Sequence, residues 1–227
     1  MHNIKIYISK TCYDRLQKIH NINTSAYLLK NLQCCFVYIF EFINENSCYI
    51  GETIDSMKKR CGGHISDSQH RPGSRSLYKK TNNDWSQVTL DILEIIFYYK
   101  NDTYKDKDEE IKYILKNREK FYHDKYEKQN YEMLNDAAMQ KEDTYSSKNY
   151  YSLEKENISE QTKNFIFQKI KSEKIYLDEF NKNSIDSLKK KLENRIKEIE
   201  IPFNLKDNED NEDNEDNEDN EDNNIIS

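Results

Sequence analysis

The sequence predicts an α+β fold: a small three-stranded antiparallel sheet flanked by helices, followed by a helical C-terminal extension and a disordered acidic tail. Three observations carry that reading. Aromatic and β-branched runs at Phe36 to Phe42 and Cys48 to Thr53 enclose a polar turn. A nearly continuous apolar run covers Val88 to Phe97, and helical spacing of apolar residues dominates from Glu109 onward.

Taken in order, Ile4, Ile6 and Ile8 alternate as in a short strand. Tyr13, Leu16 and Ile19, then Tyr27, Leu28 and Leu32, recur at helical intervals, so residues 1–33 read as a small ordered extension packed against the core. Phe36, Tyr38, Phe40 and Phe42 then mark a strand by recurring at every second position. Asn44-Glu45-Asn46-Ser47 is a turn, and Cys48 to Thr53 pairs back as a hairpin that sets Tyr38 near Tyr49. Gly51 closes it, as glycine does where a backbone or ligand approaches closely.

The stretch from Thr53 to His64 reads as a helix with Arg60 and His64 one turn apart on one face. Gly62-Gly63 lie between them, and each glycine costs about 1 kcal/mol against alanine inside a helix. Two endings therefore stay open, a helix through His64 or one that stops at Cys61 and brings His64 in from a loop. Ser66 to Ser74, with Pro72 and Gly73, reads as a loop, Arg75 to Thr81 as a short helix, and Asn82 to Trp85 as a turn.

Val88 to Phe97 is the third strand, apolar enough to be central under helices. Alternation puts Val88, Leu90, Ile92 and Glu94 on one face and Leu93, Ile95 and Phe97 on the other. Tyr99 to Asp108 is a charged loop. From Glu109 a helix is expected, with Ile111, Ile114, Leu115, Arg118, Phe121, Tyr122 and Lys125 at helical spacing and Glu119 at the rim of that stripe.

Beyond Met139 the composition turns polar, and Gln140 to Glu160 reads as a linker. Phe165, Phe167, Ile170, Tyr176, Leu177 and Phe180 imply one helix or two. Ile185, Leu188, Leu192, Ile196 and Ile199 form an amphipathic helix that Pro202 ends. The Asp-Asn-Glu repeat from Asp207 to Asn223 has nothing to bury and is expected to be disordered. The expected divisions are 1–33, 34–139, 140–202 and 203–227.

The net charge of -7 describes the tail more than the body. Eleven of the 42 acidic side chains lie between Asp207 and Asp222, which leaves 35 basic against 31 acidic elsewhere. Within Lys58 to Lys80 the basic residues Lys58, Lys59, Arg60, Arg71, Arg75, Lys79 and Lys80 face only Asp67, a surplus that suits a phosphate backbone. The five cysteines form no Cys-x-x-Cys pair, and no signal peptide precedes them, so an intracellular, reducing setting is expected. No apolar run reaches membrane-spanning length.

Within this frame, Phe36-Val37-Tyr38 followed by Tyr49-Ile50-Gly51, then Arg60 and His64, then Glu119 within Asn117 to Tyr122, then Leu134-Asn135, resembles the GIY-YIG nuclease family over residues 34 to 138. Phe36 stands where the family usually has glycine. The resemblance implies a metal-dependent DNA endonuclease. Tyr38, helped by His64, would take a proton from the attacking water, with Tyr49 close to the phosphate and Arg60 on a phosphoryl oxygen. Glu119 would hold Mg²⁺ or another divalent cation, and Asn135 would orient Glu119 or a neighbouring backbone group. Lys58, Lys59, Arg71, Arg75, Lys79 and Lys80 would contact DNA. The alternatives are a catalytically inactive nucleic-acid-binding protein that keeps the fold, and a C-terminal oligomerisation module carried on a sheet scaffold.

Overall fold

The computed structural model describes residues 4–9, 12–14, 30–99, 106–135, 150–152 and 159–204. Its centre is β2 (Leu32–Phe42), whose alternating side chains are buried on both faces. Phe36, Tyr38, Phe40 and Phe42 enter one core, whereas Cys35, Val37 and Ile39 enter another. A strand covered on both sides reads as a continuous apolar run, which is what Cys34 to Phe40 supplies. Asn44, at φ 65°, makes the turn into β3 (Ser47–Thr53).

On the other side of β2 lies β4 (Val88–Tyr99), antiparallel to it. These three strands are the expected antiparallel set, but the sheet is larger and mixed. It has six strands in the order β5-β3-β2-β4-β1-β6. β1 (Lys5–Ser9) runs parallel to β4, with Lys5 opposite Glu94 and Ile8 opposite Phe97. β5 (Glu132–Met133) runs parallel to β3, and β6 (Tyr150–Ser152) antiparallel to β1. Two- and three-residue strands are too short to leave a periodic pattern. The strand at Ile4 to Ile8 is legible, but its parallel partner 89 residues later in β4 is not.

A bulge in β4 corrects the expected faces of that strand. Val37 pairs with Glu94 but Tyr38 with Ile92, so Leu93 is the extra residue. Parity switches there. Val88, Leu90, Ile92, Ile95 and Phe97 share one core, while Leu93 and Ile96 belong to the other, and Glu94 bonds to residues on that second side.

Helix α1 runs Met57–His70, capped by Ser56, whose side chain accepts from the Lys59 amide at 3.3 Å. It passes straight through Gly62-Gly63 and ends at His70, not at Cys61 or His64, so the following loop begins only at Arg71. Both glycines face solvent, while Met57, Cys61, His64 and Ser68 bury one stripe. That stripe outweighs two unfavourable residues. α2 (Ser76–Thr81) buries Leu77 and Tyr78 and ends on Asn82 in the left-handed region.

α3 (Asp106–Glu127) covers the opposite face of the sheet through Ile111, Ile114, Leu115, Tyr122 and Tyr126. Phe121, expected in this stripe, is 46% exposed, with the Arg118 guanidinium 4.5 Å from its ring centre. α4 is one helix, Glu160–Asn204, which joins Phe165 to Phe180 to the expected amphipathic helix and runs past Pro202 instead of ending there. No glycine or proline interrupts residues 160–201, and one proline in the last turn removes a single amide donor. Ile166 and Leu177 carry α4 onto the core that holds α1 and α2.

The chain divides into compact units 1–186 and 187–227; of the second, the described part is the end of α4, with Leu192 and Ile196 exposed. The acidic repeat and most of the expected linker lie outside the described residues. Among the described residues no helix is long and apolar enough to cross a membrane.

Candidate nuclease site

Register places the site. Tyr38 on β2 lies opposite Gly51 on β3, and the Tyr38 phenol crosses over that glycine. A Cβ on Gly51 would sit 2.4 Å from Tyr38 Cζ and Oη, so this glycine is needed for space, its φ being ordinary. Tyr49, two residues earlier on the same face, holds its ring centroid 6.4 Å from that of Tyr38.

Because α1 continues unbroken, Arg60 and His64 do lie one turn apart and both reach Tyr38. Arg60 Nε donates to Tyr38 Oη at 2.9 Å, and His64 Nε2 lies 2.7 Å from the same oxygen. The other nitrogen, His64 Nδ1, is 3.0 Å from Tyr78 Oη, and Tyr78 donates to Asp67 Oδ2 at 3.4 Å. The imidazole also meets Tyr49 edge to face at 5.5 Å.

Burial dominates the electrostatics. It pushes the Tyr38 hydroxyl well above the usual phenol range, with Tyr49 adding and Arg60 opposing by charge and hydrogen bond. Burial also raises Tyr49; there Glu119 adds, while Arg60, Arg75 and Lys116 oppose. His64 is driven the other way, down to about 3, first by burial and then by Arg60 and Arg75, so it is neutral in any ordinary buffer.

Glu119 comes from α3 and is 5% exposed. Its Oε2 lies 2.9 Å from Lys116 Nζ, which also reaches Glu52 Oε1 at 3.2 Å. Burial raises this carboxyl above its ordinary value, with Lys116 opposing most, Glu52 adding and Arg60 opposing. Glu119 therefore acts by charge on Tyr49, and Arg60 on Glu119. Two carboxylates already sharing one ammonium form a donor set that a hard divalent cation fits. Among the described residues, His123, Asp124 and Glu127 also come together further along α3, where Lys120 holds the Asp124 carboxylate as Lys116 holds Glu119.

Asn135 does not touch Glu119. Its amide brackets the Ile50 backbone, donating to Ile50 O at 2.7 Å and accepting from Ile50 N at 3.2 Å. It thus holds the Tyr49-Ile50-Gly51 strand where β5 stops. Phe36, at the position usually glycine, is buried in the core beside Ile95 and Thr53. His70 is exposed, its Nδ1 2.8 Å from Ser66 O.

Of the basic residues, Lys58, Lys59, Arg71, Arg75 and Lys79 are exposed around α1 and α2, with Lys59 paired to Asp55 at 2.8 Å. Lys80 meets Glu45 at 2.8 Å and Glu132 at 2.6 Å, which pins the β2–β3 turn to β5. Residues 34–132 match the family model of the GIY-YIG catalytic domain. The chain carries a GIY-YIG nuclease domain. Neither a curated protein nor a solved structure matches the chain.

Four participants escaped the sequence reading. Asp67 comes after Arg60 and His64 at seven and three residues, on the same helix face, a signal hidden because Ser66 to Ser74 reads as a loop. Tyr78 had only a six-residue helix and was one tyrosine among 17. Glu52 and Lys116 offer single charges without a motif. The GIY-YIG domain is of nuclease type and implies a nucleic acid partner.

Proposed function

We propose that the GIY-YIG domain of this protein is a divalent-metal-dependent DNA endonuclease. The observation that carries the reading is the convergence on one oxygen, Tyr38 Oη, of a donating guanidinium and a neutral imidazole nitrogen. Tyr38 takes the proton of the attacking water while its own proton moves to His64 Nε2, so no free phenolate is required. Arg60 turns from Tyr38 onto a phosphoryl oxygen, where its fork of donors matches the anion and its departure uncovers the phenol. Tyr49 hydrogen-bonds the same phosphate. Glu119, with Glu52 beside it, would hold Mg²⁺ or a similar cation. When bound, that ion would offset charge on the leaving oxygen. Exposed Lys58, Lys59, Arg71, Arg75 and Lys79 would line the path of the DNA backbone; Lys80, engaged by two carboxylates, would contribute least.

The test is nicking of supercoiled plasmid in Mg²⁺ by the wild type, Glu119→Ala and Arg60→Ala. Loss of about 100-fold or more in each variant is expected, the scale for removing one group that stabilises developing charge. Undiminished nicking by both variants, or none by the wild type, defeats the reading. A second reading, a nucleic-acid-binding protein without cleavage, is favoured by one observation: Tyr38 has no exposed surface. Binding in EDTA that never leads to cleavage when Mg²⁺ is added would establish it.

A further inference from the structure

The hydrogen bonds around His64 have a single consistent direction. Arg60 offers only N–H groups, and Asp67, as a carboxylate, only lone pairs. Arg60 Nε donates to Tyr38 Oη, so the Tyr38 proton is directed onward to His64 Nε2 at 2.7 Å. At the far end Tyr78 Oη donates to Asp67, which leaves a lone pair to receive His64 Nδ1 at 3.0 Å. The tautomer with its proton on Nε2 leaves the Tyr38 proton without an acceptor among these groups, whereas with the proton on Nδ1 and the lone pair on Nε2 every donor among them has one.

We propose that Tyr78 and Asp67 are positioning residues that lock His64 in this tautomer and lead away the proton it receives from Tyr38. The lock rests on geometry alone, whereas its use rests on the nuclease reading. His64 is 2% exposed, and the same burial that keeps it neutral forbids it to store a second proton. A proton arriving at Nε2 must be matched by one leaving Nδ1. As the water proton reaches Tyr38 Oη, the Tyr38 proton passes to His64 Nε2, the Nδ1 proton to Tyr78 Oη and the Tyr78 proton to Asp67 Oδ2. Tyr38, His64 and Tyr78 each gain one proton and lose one. The hydroxide formed is the nucleophile, and Asp67, exposed on α1, returns its proton to solvent.

The experiment is long-range ¹H–¹⁵N NMR on the full chain, with the His64→Gln spectrum identifying His64 among five histidines. The wild type is expected to have Nδ1 protonated and Nε2 bare at neutral pH. Tyr78→Phe offers no oxygen to Nδ1 and moves the signals toward the other tautomer. Asp67→Asn still accepts from Tyr78 and keeps the wild-type tautomer, but cannot take the proton. Both variants lower kcat for nicking about 10-fold or more with KM unchanged, as expected for impaired proton transfer. A wild-type proton on Nε2, an unmoved tautomer in folded Tyr78→Phe, or wild-type kcat in Asp67→Asn overturns the proposal. Asp67 is exposed, so its variant serves even where Tyr78→Phe fails to fold. A wild type that never nicks removes the nuclease reading and leaves the tautomer, read by NMR, to decide the lock.

Discussion

The two faces of the sheet each bury a polar cluster, and the clusters obey different rules. Against α3, the Glu94 carboxylate, wholly buried, receives Arg118 Nε at 2.8 Å, Arg118 Nη2, and the Tyr122 hydroxyl at 2.9 Å. Its acceptors are filled from within the protein. Against α1 and α2, the chain from Arg60 through Tyr38, His64 and Tyr78 to Asp67 is neutral in the middle and charged only at its ends. The closed cluster fixes α3, and with it the neighbouring Glu119. The open one keeps a proton path and a rim cation that a substrate can engage. Charge buried in the middle would have to be neutralised permanently; charge at the ends stays available.

The largest expected effect comes from breaking the closed cluster. Arg118→Leu or Glu94→Leu strands the partner's charge and should cost about 3–5 kcal/mol in urea unfolding, with the double variant recovering much of it. Arg60→Leu, at the rim of the open cluster, should cost several-fold less. Equal losses at the two sites would erase the distinction.

Glycines sharpen the same contrast. Gly51→Ala puts a methyl 2.4 Å from the Tyr38 hydroxyl. It should cost about 1–3 kcal/mol as overpacking does and should displace the phenol from Arg60 and His64. Gly62→Ala and Gly63→Ala meet open space inside α1, and each should stabilise by about 1 kcal/mol. Melting curves with opposite signs at the two places are the expected result.

The same glycines mark what the sequence could and could not reveal. Tyr38, Tyr49, Arg60 and Glu119 stand out in the sequence through the resemblance to the GIY-YIG family, in the order in which they follow one another. The central hairpin was legible because Phe36 to Phe42 alternates. What was lost is either a balance or a distance. Whether α1 survives Gly62-Gly63 depends on the stripe Met57, Cys61, His64 and Ser68 finding a core, and no local rule weighs the two. The bulge at Leu93 leaves no mark in a mostly apolar run, yet it turns Glu94 toward α3. Arg118, read as one member of a helical stripe, has its partner 24 residues earlier on another element.

A third way to set the faces apart is pH. His64 has its pKa depressed to about 3 in the fold, against about 6.5 when unfolded, so between these values the unfolded chain binds the extra proton. Its contribution is intact above about pH 6.5 and lost as pH falls toward 3, at about 1.4 kcal/mol per unit once the unfolded histidine is fully charged. Urea unfolding at pH 7, 6 and 5 should have a slope that His64→Gln flattens. An unchanged slope would mean that water reaches the imidazole, and the cluster would not be buried in the sense that the comparison needs.

A small effect separates fold from function most cleanly. Two asparagines finish open strand edges in the same way. Asn135 brackets Ile50 on β3 at 2.7 and 3.2 Å, and Asn181 brackets Leu90 on β4, where β1 no longer pairs, at 2.8 and 2.7 Å. Either Asn→Ala change leaves one amide and one carbonyl short of a partner and should cost about 1–2 kcal/mol, two hydrogen bonds at a typical net contribution of about 0.5–1 kcal/mol each. The stability losses should therefore match. Nicking should not: Ile50 lies between Tyr49 and Gly51, so loosening it moves the phenol and the surface against which Tyr38 is seated, whereas Leu90 carries no member of the site. Asn135→Ala should lose activity well beyond its loss of stability, with Asn181→Ala nicking as the wild type does. Parallel loss in both would mean that Asn135 serves the sheet alone.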